Sequence, residues 1–141
     1  ITSYANNYNL FDISLAPLKE SDFNRVKSQL KVIEAGFHKK AIIAQDFGPY
    51  QIDINNSYTK GGEYDVENSN GILIPTHKNH KFWGKHIKKL IENPEMITQL
   101  GNNLYESVNG KYDMLSVCTE RSNLYKKLIK EKKDKLVDVV N

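Results

Sequence analysis

Residues 12–50 read DISLAPLKESDFNRVKSQLKVIEAGFHKKAIIAQDFGPY, and this stretch decides the fold. It begins with a short apolar run closed by Pro17, which is typical of a buried strand. From Ser21 to Phe37 apolar residues recur in steps of three and four, which predicts one helix face. The continuous apolar run Ala41–Ala44 is typical of a strand buried on both faces of a parallel sheet. The stretch therefore predicts a strand, a helix and a second, parallel strand.

The remainder of the chain continues this alternation. Residues 51–70 are polar and rich in Asn and Gly, so we expect loops there. A third strand is predicted at Gly71–Pro75, and amphipathic helices are predicted from His80, from Pro94 and from about Leu115. The fold class is α/β, a parallel sheet with flanking helices that is closed by C-terminal helices. We expect residues 1–130 to form the α/β domain and residues 131–141 to be a helical extension or frayed tail.

Composition limits the classes of protein that fit. The 141 residues suffice for one domain, and 20 basic against 17 acidic residues give a net charge of +3, too small to predict nucleic-acid binding. The single cysteine, Cys118, excludes an internal disulfide, and its apolar helical context predicts burial and a reducing, cytoplasmic setting. The sequence contains no apolar run of membrane-spanning length, and we expect no secretion signal; the start without methionine suggests a piece of a longer polypeptide.

The segment from Pro17 to Lys31 is the candidate binding site. In open α/β sheets ligands collect where strands run into helix N-termini. Lys27, Lys31 and Glu34 are spaced i, i+4, i+7, which would place them along one helix face. Lysines there suit phosphates, and Glu34 suits the vicinal hydroxyls of a ribose. The alternative from spacing alone is a solvated helix face with a weak ion pair.

Several strings resemble, in order and spacing, the C-terminal domain of the family 4 (group 1) glycosyltransferases, which have the GT-B fold. The strings are Asp12-Ile13-Ser14-Leu15-Ala16-Pro17-Leu18, Phe23-Asn24 with Lys27-Ser28, Lys31 and Glu34-Ala35-Gly36, Ala41-Ile42-Ile43-Ala44, Gly48-Pro49-Tyr50, Asn70-Gly71-Ile72-Leu73-Ile74, Trp83 to Pro94, and Arg121-x-x-x-Tyr125. They cover nearly the whole chain.

The resemblance implies a Rossmann-like sheet and assigns donor-binding roles. In the family two glutamates eight positions apart hold the nucleotide-sugar donor, and the second meets the ribose. Glu34 matches the second, whereas Val26 stands in the place of the first and leaves contact with the sugar unassigned. Backbone amides of Ser28, Gln29 and Leu30 are expected to face the diphosphate, with Lys27 and Lys31 on the same turn.

The resemblance also implies what the chain lacks. It corresponds to the second half of the GT-B C-terminal domain, so an N-terminal domain of the same polypeptide would supply the acceptor site. The full-length enzyme would transfer a sugar, with retention and without a metal, to a glycan or lipid-linked acceptor. The isolated chain would be inactive and would self-associate through an uncovered sheet edge. The alternative is a non-catalytic α/β binding or interaction module.

The remaining candidate residues favour structural roles. The four histidines show no zinc-ligand spacing, and we expect them at the surface; they are His38, His77, His80 and His86. Trp83 is expected in the core. The lysine-rich faces at Lys85–Lys89 and Lys126–Lys133 are expected to be solvated, with peripheral contact to an anionic membrane as the alternative. No aromatic and basic strand pattern for RNA is present.

Overall fold

The structure is a computed structural model, and it describes the backbone of residues 2–140 and the side chains of residues 4–132. The chain divides into two compact units, Ile1–Asn109 and Gly110–Asn141. The first unit contains the sheet, and the second contains one long helix. The boundary predicted at residues 130 and 131 falls inside that helix and stays a prediction.

The first unit alternates strands and helices. Its strands are β1 (Ile13–Ala16), β2 (Ala41–Asp46) and β3 (Ile72–Pro75). Its α-helices are α1 (Thr2–Asn6), α2 (Asp22–Arg25), α3 (Leu30–Phe37), α4 (His80–Ile91) and α5 (Pro94–Val108). Short 3-10 helices lie at Asn7–Leu10 and Gly48–Gln51. The three predicted strands are therefore confirmed.

The strands form one parallel sheet in the order β1-β2-β3. Ile13 pairs with Ala41, and Ile43 pairs with Ile72. Because β2 is central, its residues 41–45 are all buried, as the unbroken apolar run predicts. The predicted fold class, an α/β parallel sheet with flanking helices, is confirmed.

The main core cluster joins the sheet to α4 and α5. It consists of Ala41, Ile43, Ile72, Ile74, Leu90, Met96 and Leu100, and Trp83 packs half-buried against it. Two glycines permit close packing of α5. A Cβ at Gly101 would lie 2.2 Å from the carbonyl oxygen of Lys39, and a Cβ at Gly36 would lie 2.6 Å from a methyl group of Val108. At both positions, a side chain larger than hydrogen would collide with a neighbouring group: the backbone of Lys39 at residue 101 and the side chain of Val108 at residue 36.

The helix predicted from Ser21 to Phe37 is interrupted, which corrects the prediction. Residues 26–29 separate α2 from α3. Phe23, Val26 and Leu30, which fit the apolar spacing, are 73%, 82% and 54% exposed. The buried side of α3 is instead formed by Val32, Ala35 and Gly36.

Two further burial predictions were wrong. His86, expected at the surface, is fully buried on α4. Cys118, expected to be buried, is exposed in the second unit, with its Sγ 3.7 Å from Met114 Sδ.

The second unit is built around α6 (Met114–Val140). Asp113 accepts a hydrogen bond from the backbone N–H of Ser116 at 3.0 Å, which satisfies a donor at the start of this helix. Hydrogen bonds from Ser116 lower the pKa of the Asp113 carboxyl. In the part of the chain that the structure describes, no helix combines the length and the apolar character needed to cross a bilayer.

Candidate functional site at the carboxyl edge of the sheet

Two connecting segments meet where β1 and β2 end. The segment after β1 contains α2, and the segment after β2 forms the 3-10 helix that begins at Gly48. The Arg25 guanidinium lies 4.9 Å from the centre of the Phe47 ring. Gly48 has φ +57°, and a Cβ there would lie 3.2 Å from Arg25 Cα, so glycine permits both the turn and the contact. Gly48-Pro49-Tyr50 therefore supports the segment that precedes α3.

The start of α3 lies in this connection. Gln29 is the N-cap residue, and its carbonyl accepts from the N–H of Val32 at 2.9 Å. The first N–H groups of any α-helix lack acceptors within the helix, so the first turn of α3 presents donors. Lys27 and Ser28 precede the helix and are exposed. The predicted single face with Lys27, Lys31 and Glu34 is therefore wrong, because only Lys31 and Glu34 are helical.

Glu34 is the centre of a hydrogen-bonded cluster. Its Oε2 accepts from the hydroxyl of Tyr8 at 2.9 Å and from the hydroxyl of Tyr4 at 3.1 Å. Lys31 Nζ donates to the Tyr4 hydroxyl at 3.4 Å. Neither tyrosine bond uses Oε1. The hydroxyl of Tyr4 thus bridges the carboxylate of Glu34 and the ammonium group of Lys31.

Tyr8 is held on two sides. Its ring stacks on that of His38, with centroids 4.5 Å apart and planes 9° from parallel. Burial raises the pKa of the Tyr8 hydroxyl, and the hydrogen bond to Glu34 raises it further. Tyr8 therefore keeps its proton at neutral pH and acts as the donor to Glu34.

Tyr50 links the cluster to the segment after β2. Burial raises the pKa of its hydroxyl, whereas the positive charge of Lys31 lowers it. The charge of Lys31 therefore acts on a side chain of the segment that follows β2.

A cavity of about 400 Å³ lies along β1 beside this cluster. Its lining residues are Tyr4, Asn7, Tyr8, Phe11, Ile13, Ser14, Leu15 and Lys31. Aromatic rings, a lysine and a strand edge line a space large enough for part of a small ligand.

The structure brings some of the predicted site residues together. Lys31 and Glu34 share a partner in Tyr4, and Gln29 and Leu30 lie at the helix start. The ammonium group of Lys27 lies 4.9 Å from the centre of the Phe23 ring.

Sequence reasoning missed both tyrosines. Tyr4 and Tyr8 are four residues apart, a spacing that places side chains on one helix face, but nothing local connects them to Glu34. Their contacts with Glu34 span 30 and 26 positions of the chain.

A second polar cluster surrounds His86, away from α3 in the sequence. Its Nδ1 is 2.6 Å from the hydroxyl of Tyr64, and the rings of Tyr58 and Phe82 meet it edge to face. Its buried Nε2 has no hydrogen-bond partner among the described residues. Burial lowers the pKa of His86 to about 4, with a further contribution from the charge of Lys85. Across residues 4–132, no three His, Cys, Asp or Glu side chains are grouped as metal ligands.

The chain matches no protein-family model, and no curated protein matches it significantly. Its fold is similar to that of a sucrose-phosphate synthase from Thermosynechococcus elongatus, with a TM-score of 0.66 and 17% sequence identity. That likeness covers 89% of this chain and 27% of the synthase. A solved structure of TarM is 26% identical with a TM-score of 0.49, and it covers 70% of this chain and 18% of TarM.

The likeness to the synthase concerns the fold. The synthase is a GT-B glycosyltransferase. The chain spans about a quarter of the length of the synthase, in keeping with part of a larger GT-B architecture. The arrangement of strands and helices is therefore that of a partial, Rossmann-like GT-B domain.

Proposed function

We propose that the chain binds the nucleotide part of a nucleotide-sugar donor at the start of α3. The observation that carries this proposal is the hydrogen-bonded cluster in which Tyr4 bridges Glu34 and Lys31. Two tyrosine hydroxyls orient the carboxylate through Oε2, and the ammonium group of Lys31 donates to one of these hydroxyls, that of Tyr4. Lys31, Tyr4 and Tyr8 line a cavity along β1. Helix α3 itself begins in the connection that follows the carboxyl end of β1, the edge at which such folds bind nucleotides.

Each group has a chemical role in this proposal. Lys27, Lys31 and the backbone amides of Ser28, Gln29 and Leu30 would neutralise the diphosphate. Glu34 would accept hydrogen bonds from the vicinal hydroxyls of the ribose through Oε1. The proposal needs no metal, since lysines and amides supply the positive charge. The exposed side chain of Val26 offers no polar group to the sugar.

We further propose that the full-length protein is a cytoplasmic, retaining hexosyltransferase of family 4. Its acceptor, a glycan or a lipid-linked sugar, would bind to an N-terminal domain of the same polypeptide. The chain corresponds to 27% of the synthase whose fold it shares. We therefore expect the 141 residues alone to transfer no sugar.

One observation favours a second candidate, a non-catalytic α/β binding or interaction module. Glu34 is already bonded to Tyr4 and Tyr8, so its carboxylate has a structural role even without a ligand. In this case the lysines would only solvate the helix.

Titration of UDP- and GDP-sugars, followed by NMR, distinguishes the two candidates. We expect resonances of residues 27–34 to shift, and Glu34→Gln to weaken binding by about tenfold because a charged acceptor is lost. Glu106→Gln on α5 is the matched control, since this exposed glutamate lies outside the site. Absence of any shift at millimolar ligand, or equal weakening by both variants, would favour the interaction module.

A further inference from the structure

The region around α4 concentrates positive charge. Residues 68–91 contain five lysines and no Asp or Glu. Since these lysines contribute +5 to a net charge of +3, the rest of the chain carries −2. The mild overall charge therefore hides a strongly basic segment.

Three of these lysines form an exposed group, which we call the α4 lysine patch: Lys78, Lys81 and Lys85. Lys81 and Lys85 are four residues apart on α4 and share a face, and Lys78 directly precedes the N-cap residue Asn79. The opposite face of α4 carries the buried Leu90. The patch thus points away from the core.

Aromatic rings orient two of the ammonium groups. Lys78 Nζ lies 5.2 Å from the centre of the Phe82 ring, and Lys85 Nζ lies 5.1 Å from that of Tyr58. Lys85 also donates to the Tyr58 hydroxyl at 3.3 Å. Cation–π contacts leave the positive charge uncancelled, unlike ion pairs.

No carboxylate of residues 4–132 neutralises the patch. A recess of about 350 Å³ is lined by His77, Lys78, Asn79, Lys81, Phe82 and Lys85, without an acidic residue. Within the described part of the chain, none of the three lysines forms an ion pair, whereas Lys88 on the next turn pairs with Glu92 at 3.7 Å.

We propose that the α4 lysine patch is a docking surface for a membrane that contains anionic lipids, with the lysines contacting headgroup phosphates. An exposed row of lysines on an amphipathic helix is suited to such a surface. Each ammonium group attracts headgroup phosphates without needing one fixed hydrogen-bond geometry, so each lysine strengthens membrane binding. A nucleic-acid site fits less well. The segment has no arginine, and the ring of Phe82, which is half-buried, already has the ammonium group of Lys78 5.2 Å from its centre, a position that a stacked base would have to share. This inference is independent of the proposed donor site.

Vesicle co-sedimentation of the 141-residue chain tests the proposal. The probes are vesicles of phosphatidylcholine alone and vesicles of phosphatidylcholine with phosphatidylglycerol in a two-to-one ratio. We expect binding to the anionic vesicles only, weakening as salt is raised from about 0.05 M to about 0.5 M. Removing three charges by Lys78→Gln, Lys81→Gln and Lys85→Gln should weaken binding on the order of 100-fold, or roughly fivefold per lysine.

The matched control removes three exposed lysines of α6 by Lys126→Gln, Lys130→Gln and Lys132→Gln. Both triple variants lose the same net charge, and circular dichroism checks that each is folded. Retention of binding by the α6 variant and its loss in the α4 variant would support the surface. Equal loss in both variants, binding to neutral vesicles, or no vesicle binding would overturn it. The proposal would also be overturned if the chain bound single-stranded RNA saturably, the α4 substitutions abolished that binding, and no vesicle bound.

Discussion

His86 illustrates how one residue couples the interior of the protein to pH. Its imidazole is enclosed by Tyr58, Tyr64 and Phe82, with one ring nitrogen hydrogen-bonded to Tyr64 and the other without a partner among residues 4–132. A charged imidazolium in this place would lose its hydration, and Lys85 would repel it. The folded protein therefore holds His86 neutral.

We expect this histidine to make the free energy of unfolding depend on pH. Its pKa is about 4 in the folded chain, against about 6.5 when unfolded. The stabilisation is complete above pH 6.5. It is lost as pH falls toward 4, by about 1.4 kcal/mol per pH unit, because only the unfolded chain takes up the proton. Urea unfolding at pH 7 and pH 5 measures the change.

The histidine substitutions have separate expectations. His86→Phe should flatten the pH dependence, whereas His80→Gln, at an exposed position, should leave it unchanged. If His86→Phe does not fold, NMR titration of the imidazole in the unsubstituted chain gives the answer directly. A pKa for His86 near 6.5 would contradict the expectation.

The close approach of α5 to the turn between α3 and β2 depends on Gly101. Lys39 in this turn has φ +52°, and its carbonyl lies where a Cβ of residue 101 would be. A methyl group at residue 101 would force the backbone of this turn to shift. Shifting backbone costs more free energy than rotating a flexible side chain out of the way.

We expect Gly101→Ala to lower the free energy of unfolding on the order of 2 kcal/mol, despite the better helix propensity of alanine. Gly84→Ala is the matched control. Gly84 is also inside a helix, but nothing lies within 4 Å of its Cβ position. This control should raise stability by up to about 1 kcal/mol. Urea unfolding of both variants measures the difference, and a change of the same sign in both would refute the steric argument.

The predictable elements are those whose burial leaves a pattern in the local sequence. The unbroken run Ala41–Ala44 predicted the central strand because both faces of β2 are covered. The spacing of Phe23, Val26 and Leu30 suggested one long helix, but these side chains are exposed and the chain turns between them. Apolar spacing shows that a segment could form a helix with an apolar face. Only tertiary packing decides whether that helix forms and whether its face is buried.

The candidate site was predictable to the same extent. The sequence pointed to Glu34 and Lys31 as candidates because they lie three residues apart in one predicted helix and fall in strings that resemble a known family. Tyr8 was missed because its contact with Glu34 spans 26 positions and follows from the folding of the N-terminal segment onto α3.

Strand β1 lies at an edge of the parallel sheet. It pairs with β2 on one side, and no other strand of the described chain pairs with its free side. Its backbone groups are therefore available to another chain. Leu15, 48% exposed on this strand, adds an apolar side chain to the edge.

We expect the 141-residue chain to self-associate through β1 as concentration rises, with sedimentation velocity as the measurement. Leu15→Lys should reduce association, because a lysine on an edge strand opposes pairing. Leu10→Lys is the control, since Leu10 is 81% exposed but lies outside the strand. A strict monomer at high concentration, or equal effects of the two substitutions, would argue against an interface at this edge.

The position of Trp83 has an optical consequence. It is the only tryptophan, and it packs half-buried against the core of the first unit. Its fluorescence therefore reports on that unit, whereas the long helix α6 dominates the second unit and contributes strongly to far-ultraviolet circular dichroism. If the two units unfold separately, the two signals will give different midpoints in one denaturation experiment.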